Sequence, residues 1–349
     1  MHRTDDLRIE QVRPLIPPMV LMDEVPITGS VAQLVAATRE AVARILHGDD
    51  HRLFVVVGPC SLHDPTSGLE YAERLAELAR GLAGDLLIGM RLYFEKPRTI
   101  VGWKGLINDP HLDESFAIND GLRVARSFLL KVNALGVPAA TEFLDPITPQ
   151  FLADLVSWGA IGARTAESQV HRELASGLSM PVGFKNGTDG NVEIAIDAVR
   201  SAAHPHRFLG VTKDGVAAIL GTRGNPDCHV ILRGGHGGPN YSAADVARVG
   251  AALGTAGLSP RVMIDCSHAN SRKDYTRQPH VLSAVADQVR AGSRTILGVM
   301  LESFLVAGRQ SVVPGRPLVY GQSITDGCMD WGMTAELLTE LAGAVSACR

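Results

Sequence analysis

The sequence predicts an α/β chain closed as a (β/α)₈ TIM barrel, carrying an N-terminal extension and an inserted β-hairpin. Three observations predict it. Eight short apolar, β-rich runs punctuate the chain, helical spacing fills the stretches between them, and polar residues collect where each run ends.

Residues 1–48 read as an extension, with two proline-bearing turns ahead of a helix, and 49–349 as the barrel. The predicted strands are Leu53–Gly58, Leu86–Phe94, Val137–Phe143, Ala160–Arg164, Val182–Lys185, His229–Arg233, Val262–Asp265 and Ile296–Glu302. Their near-continuous apolar character suits strands covered on both faces. Between them, Leu75, Leu78 and Leu82 keep helical spacing, and Ser242 with Asp245 forms a capping box. Phe208–Thr212 and Val216–Leu220 flank Asp214 and Gly215, which supply a positive-φ turn. Residues 208–220 therefore read as a hairpin insertion, since counting it as barrel would give ten strands.

Composition narrows the function classes. Hydrophobic residues make up 46%, charged residues 20%, and the formal net charge is −4. A packed core is expected, and the lack of a global basic field argues against nucleic acid or an anionic membrane as partner. No apolar run approaches a membrane span and the N-terminus shows no secretory pattern, so a soluble cytoplasmic protein is expected. Cys60, Cys228, Cys266, Cys328 and Cys348 are odd in number and lack C-x-x-C spacing, which argues against a disulfide framework.

In a barrel the strand ends share one rim, where this fold builds its sites. Arg91, Lys96, Arg98, Arg164, Lys185 and Arg233 all fall there. Any one of them reads equally well as the partner of a nearby acid. Six together imply a load of several negative charges, because Arg forks and Lys point charges suit phosphate and carboxylate. Asp145 and Glu167 are expected to partner the bases. Cys60, His268, Glu302 and Asp326 add a thiol, an imidazole and two carboxylates, a mixed set that suits Mn, Fe, Co or Zn. By residue type alone, the blander reading is a buried apolar Cys60 and a hydrogen-bonded His268.

The strings Gly-Pro-Cys-Ser (58–61), Tyr-Phe-Glu-Lys-Pro-Arg-Thr (93–99), Gly-Trp-Lys-Gly (102–105), Gly-Ala-Arg-Thr (162–165) and Gly-Phe-Lys-Asn-Gly-Thr-Asp-Gly (183–190) resemble class I 3-deoxy-D-arabino-heptulosonate 7-phosphate (DAHP) synthases. So do Ile-Leu-Arg-Gly-Gly (231–235), Asp-Cys-Ser-His-Ala-Asn (265–270) and Ser-Ile-Thr-Asp (323–326), in order along essentially the whole chain. The resemblance implies condensation of phosphoenolpyruvate with erythrose 4-phosphate, the opening step of the shikimate pathway. It implies that Arg91, Lys96, Arg164, Lys185 and Arg233 hold phosphoenolpyruvate, and that Arg98 and Thr99 hold the aldose phosphate. Cys60, His268, Glu302 and Asp326 match the family's ligands for one divalent metal ion. Lys96, Glu142 and Lys185 are the candidate catalytic groups, the last two for the water and its proton.

The resemblance also implies a homotetramer or homodimer inhibited by an aromatic amino acid, with Asp5, Asp6, Pro149, Gln150 and Ser179 at the effector pocket. Strings 178–181 and 272–275 lean toward tyrosine. Two features depart from the family pattern: His236 with an extra glycine after Arg233, and Pro146. Cys328 is expected to approach Cys60 closely enough for a disulfide in metal-free protein. The rival readings are a related sugar-acid phosphate synthase using arabinose 5-phosphate, and a silent barrel that binds aromatic amino acids.

Overall fold

In the computed structural model, residues 2, 4–98, 100, 102–313 and 315–348 are described; Thr99, expected at the aldose phosphate, lies outside them. Among these residues, eight parallel strands close the barrel in the order β1 (Leu53–Gly58), β10 (Ile296–Glu302), β9 (Val262–Asp265), β8 (Cys228–Leu232), β5 (Val182–Lys185), β4 (Trp158–Ile161), β3 (Ala139–Glu142) and β2 (Leu86–Arg91).

Alternation along β1 sorts the core into two. Phe54 and Val56 join Trp158, Ile231, Met263, Leu297 and Met300 in one buried cluster. Val55 and Val57 join the apolar faces of the surrounding helices. These include α3 (Pro65–Leu82), α4 (Ile118–Ala134), α6 (Gln169–Gly177), α7 (Glu193–Ala202), α8 (Ala243–Thr255), α9 (Gln278–Arg290) and α10 (Trp331–Ser346). β10 approaches β1 so closely that a Cβ on Gly298 would lie 1.9 Å from the Phe54 carbonyl oxygen, so only glycine fits there. The Ser242 capping box forms as expected, its Oγ accepting from the Asp245 N–H at 3.2 Å.

The extension supplies α1 (Pro18–Glu24) and α2 (Gly29–His47), whose residues Val42, Ile45 and Leu46 pack into the same cluster as Phe54. The helix therefore stoppers the end of the barrel opposite the rim. Its last carbonyls are taken by Ser259 Oγ, which donates to Leu46 at 2.8 Å, and by Arg261, which donates to Ile45 at 2.8 Å. The insertion is an antiparallel hairpin of β6 (Arg207–Val211) and β7 (Ala217–Gly221), while β5 pairs directly with β8.

Some boundaries differ from expectation. β2 stops at Arg91 instead of Phe94, and β3 begins at Ala139 because Pro138 has no N–H to give the ladder, though its carbonyl accepts from Met90 at 2.8 Å. β4 runs Trp158–Ile161, not Ala160–Arg164, since the chain turns away at Gly162, whose carbonyl accepts from the Thr165 N–H at 3.0 Å. Two short strands after the barrel, β11 (Val306–Arg309) and β12 (Gln322–Ser323), and the four-residue helix α5 (Pro149–Leu152) were not anticipated.

Candidate active site

The carboxyl ends of the strands open onto a cavity of about 990 Å³. Arg91, Lys96, Arg98, Glu142, Arg164, Lys185, Arg233, His268, Glu302 and Asp326 all line it, while Cys60 is fully buried beside it.

Three of the six bases are paired. Arg91 meets Glu302 at 3.1 Å, Lys185 meets Asp265 at 3.1 Å and Lys96 meets Asp326 at 3.3 Å. The other three make no ion pair among the described residues: Arg98 donates to the Trp103 carbonyl at 2.8 Å and Arg233 to the Gly234 carbonyl at 3.4 Å. Burial lowers the Arg233 guanidinium below its usual range, with Asp265 opposing and the nearby charge of Arg164 adding to the depression. Such a cluster stores mutual repulsion that an anion would relieve.

Asp145 and Glu167 do not partner these bases, contrary to expectation. Asp145 donates its N–H to Glu95 at 3.2 Å and accepts from Ile147, and Glu167 is exposed without an ion pair among the described residues. Asp265 takes the role instead. Its carboxylate also meets His268 Nδ1 at 2.9 Å, and although burial alone would raise it, His268 and Lys185 hold it well below the ordinary carboxylate range.

Cys60 Sγ and carboxylate oxygens of Glu302 and Asp326 lie within 4.8 Å of one another. His268 stands beside this group, its Nε2 4.0 Å from Glu302 Oε1. Its backbone is left-handed, φ 53°, and with Nδ1 engaged by Asp265 and Ser267 the opposite nitrogen is presented to Glu302. A carboxylate behind an imidazole is the usual support of a metal-binding histidine. The donors therefore fit one borderline divalent ion. Burial, then the charge of Glu302, pushes the Cys60 thiol up to about 11, with Lys96 opposing.

Three contributors escaped the sequence reading. The Tyr93 ring lies under the Arg91 guanidinium, 3.5 Å from centroid to Cζ. Gln278 donates to the Glu302 carbonyl and accepts from the Glu302 N–H, both at 2.9 Å, which fixes the end of β10. Asn186 accepts from the Arg233 N–H at 2.8 Å. Adjacency to Arg91 and Lys185 was the available signal for Tyr93 and Asn186; Gln278 offered none.

Glu142 in this position packs against Gly162: a Cβ there would lie 2.4 Å from Glu142 Oε1, so a larger residue would make the carboxylate move. That oxygen is buried and has no hydrogen-bond partner among the described residues. The extra glycine near His236 is absorbed by a tight turn in which Gly235 and Gly238 exchange backbone hydrogen bonds at 3.0 Å. The turn leaves His236 exposed on the cavity wall.

Of the proposed effector residues, Pro149 is buried at the start of α5 and Ser179 is exposed between α6 and β5. The Gln150 carbonyl accepts from Lys213 Nζ of the hairpin. Asp5 and Asp6 lie on the exposed N-terminal segment, Asp6 with φ 54°.

Comparison with known proteins gives a consistent picture. The model of the DAHP synthetase I family matches residues 28–339. The chain is 59% identical to the Phe-sensitive phospho-2-dehydro-3-deoxyheptonate aldolase of Escherichia coli K12, covering 100% of this chain and 99% of that one. It is 56% identical to the Trp-sensitive enzyme of Enterobacter agglomerans, over 99% of each. The solved phospho-2-dehydro-3-deoxyheptonate aldolase of Francisella tularensis SCHU S4 superposes with a TM-score of 0.96 at 53% identity, covering 98% of this chain and 99% of that one.

Proposed function

The chain belongs to the DAHP synthetase I family, and from that premise we propose that its rim condenses phosphoenolpyruvate with erythrose 4-phosphate and water, using one divalent metal ion. The observation that carries this reading is the set Arg98, Arg164 and Arg233, cations without ion pairs among the described residues that line one cavity beside the Cys60, Glu302 and Asp326 donors.

Arg164 and Arg233, with Arg91, Lys96 and Lys185, hold the phosphate and carboxylate of phosphoenolpyruvate. Arg98 and Thr99 hold the aldose phosphate. When bound by Cys60, His268, Glu302 and Asp326, a Mn, Fe, Co or Zn ion supplies Lewis acidity toward the aldehyde oxygen. The buried pairing with Asp265 fixes the position of the Lys185 ammonium beside the cavity that the residue lines. Glu142, at the cavity wall, orients the water and takes its proton, and Lys185, which lines the same cavity, is the counterpart acid. Lys96, gripped by Cys60 and Asp326, joins the substrate pocket to the metal donors.

Regulation follows the same premise. Two relatives are named for sensitivity to phenylalanine and tryptophan, which supports an aromatic amino acid effector; its pocket is assigned to Asp5, Asp6, Pro149, Gln150 and Ser179, and the assembly to a homotetramer or homodimer, by the family resemblance alone. A cytoplasmic location agrees with a biosynthetic role and with the lack, among the described residues, of a helix long and apolar enough to cross a membrane.

The test is loss of phosphoenolpyruvate enol absorbance with Mn²⁺ and each aldose phosphate, with and without EDTA. Turnover with erythrose 4-phosphate, abolished by chelation, is expected. Preference for arabinose 5-phosphate moves the chain to the sugar-acid synthase reading, and no turnover with either moves it to a silent effector-binding barrel.

A further inference from the structure

The end of the barrel opposite the rim holds a second cavity, of about 290 Å³. It lies between the start of β1, the entry to β9, the α9–β10 connection and the last turn of α10, away from every residue assigned to substrate, metal or effector. Its apolar walls come from Leu53, Val289, Ile296 and Val345.

Its polar side is basic. Arg261, Arg294 and His51 all line it, with no carboxylate side chain among them. Arg261 is half-buried and spends one nitrogen on the Ile45 carbonyl; Arg294 reaches the Cys348 carbonyl at 3.5 Å. Neither guanidinium is in an ion pair among the described residues. Burial and then the charge of Arg294 depress Arg261, with the Asp49 charge opposing. Two guanidinium groups kept together, neither in ion-pair contact with an acid among the described residues, are arranged for a bidentate anion.

We propose that this cavity is a second, non-catalytic site for a small organic carboxylate. The carboxylate lies between Arg261 and Arg294, and an apolar body rests on Leu53, Val289, Ile296 and Val345. An amino acid fits poorly here, because its ammonium would enter a basic cluster. That sets the ligand chemistry apart from an aromatic amino acid effector.

The experiment is calorimetric titration of the Mn²⁺-loaded protein with 3-phenylpropionate, the rim being saturated with phosphoenolpyruvate and no aldose present. One saturable site per chain is expected. Arg294→Met weakens it by about tenfold or more, the scale of one charge-assisted hydrogen bond. Arg294→Glu, a second change at an exposed position, abolishes it, and phenylalanine shows no binding that depends on Arg294. Lack of saturable heat overturns the proposal, as does binding that both Arg294 variants retain at full strength while their melting temperatures match the parent.

Discussion

The Lys96 ammonium lies 2.7 Å from the Cys60 thiol and 3.3 Å from an Asp326 carboxylate oxygen. Burial would strip Lys96 of its proton, but Cys60, Glu302 and Asp326 hold its pKa above the usual value. Cys60 itself, pushed up to about 11, is a neutral thiol near pH 7.

Metal uptake must therefore release a proton from Cys60, since the thiolate is the ligand. Titration in weak buffer should show acid release with Mn²⁺ or Zn²⁺. Cys60→Ser should lower metal affinity by about tenfold or more, on the scale seen when metal-site groups are altered. Cys228→Ser should not. Identical metal titrations for the two variants would refute Cys60 as a ligand.

Asp265 holds Lys185 and His268 at once, at 3.1 and 2.9 Å. Asp265→Asn leaves a buried ammonium uncompensated and frees the imidazole to turn. Breaking one side of a buried pair costs about 3–5 kcal/mol. Thermal stability, metal affinity and kcat should fall together. Unchanged metal affinity in a folded variant would remove Asp265 from the support of His268.

Arg164 and Arg233 separate from Arg91 in kind. The first two make no ion pair among the described residues, so Arg164→Ala and Arg233→Ala should weaken phosphoenolpyruvate binding by about 1.5–3 kcal/mol each, roughly ten- to a hundredfold in KM, with little change in melting temperature. Arg91→Ala also orphans buried Glu302 and uncovers Tyr93, and should destabilise the fold. Steady-state kinetics with calorimetry test the contrast; parallel losses of stability in all three would sink it.

Glu95 supplies a pH signature. Burial, then the charge of Asp145, raises its carboxyl to about 8. Unfolded, it titrates near the ordinary glutamate value of 4.5. Between those values the folded state binds the extra proton, so stability falls as pH rises. Glu95→Gln should flatten that fall, by on the order of a few kcal/mol at pH 8. Urea midpoints at pH 5 and pH 8 test this, and equal slopes for parent and variant would count against it.

The barrel and its basic rim were legible because eight apolar runs each end in polar residues, a pattern local to the chain. What escaped depends on who faces whom across it. That Lys185 pairs with Asp265, and that Gln278 fixes Glu302 across 24 residues of chain, follows only from strand order and register. Cys328 illustrates a middle case. Its proximity was anticipated from the sequence, and its Sγ lies 3.4 Å from the Cys60 N–H with both thiols reduced.

The hairpin β6–β7 and helix α2 join the barrel where chain enters its strands, at the end away from the rim. Their attachment costs the catalytic face nothing in geometry, since β5 pairs with β8 as if residues 186–227 were an ordinary crossover. Loop closure grows only slowly more expensive with length. The barrel thus has a working end and a growing end, and new control elements can be added at the second without retuning the chemistry at the first.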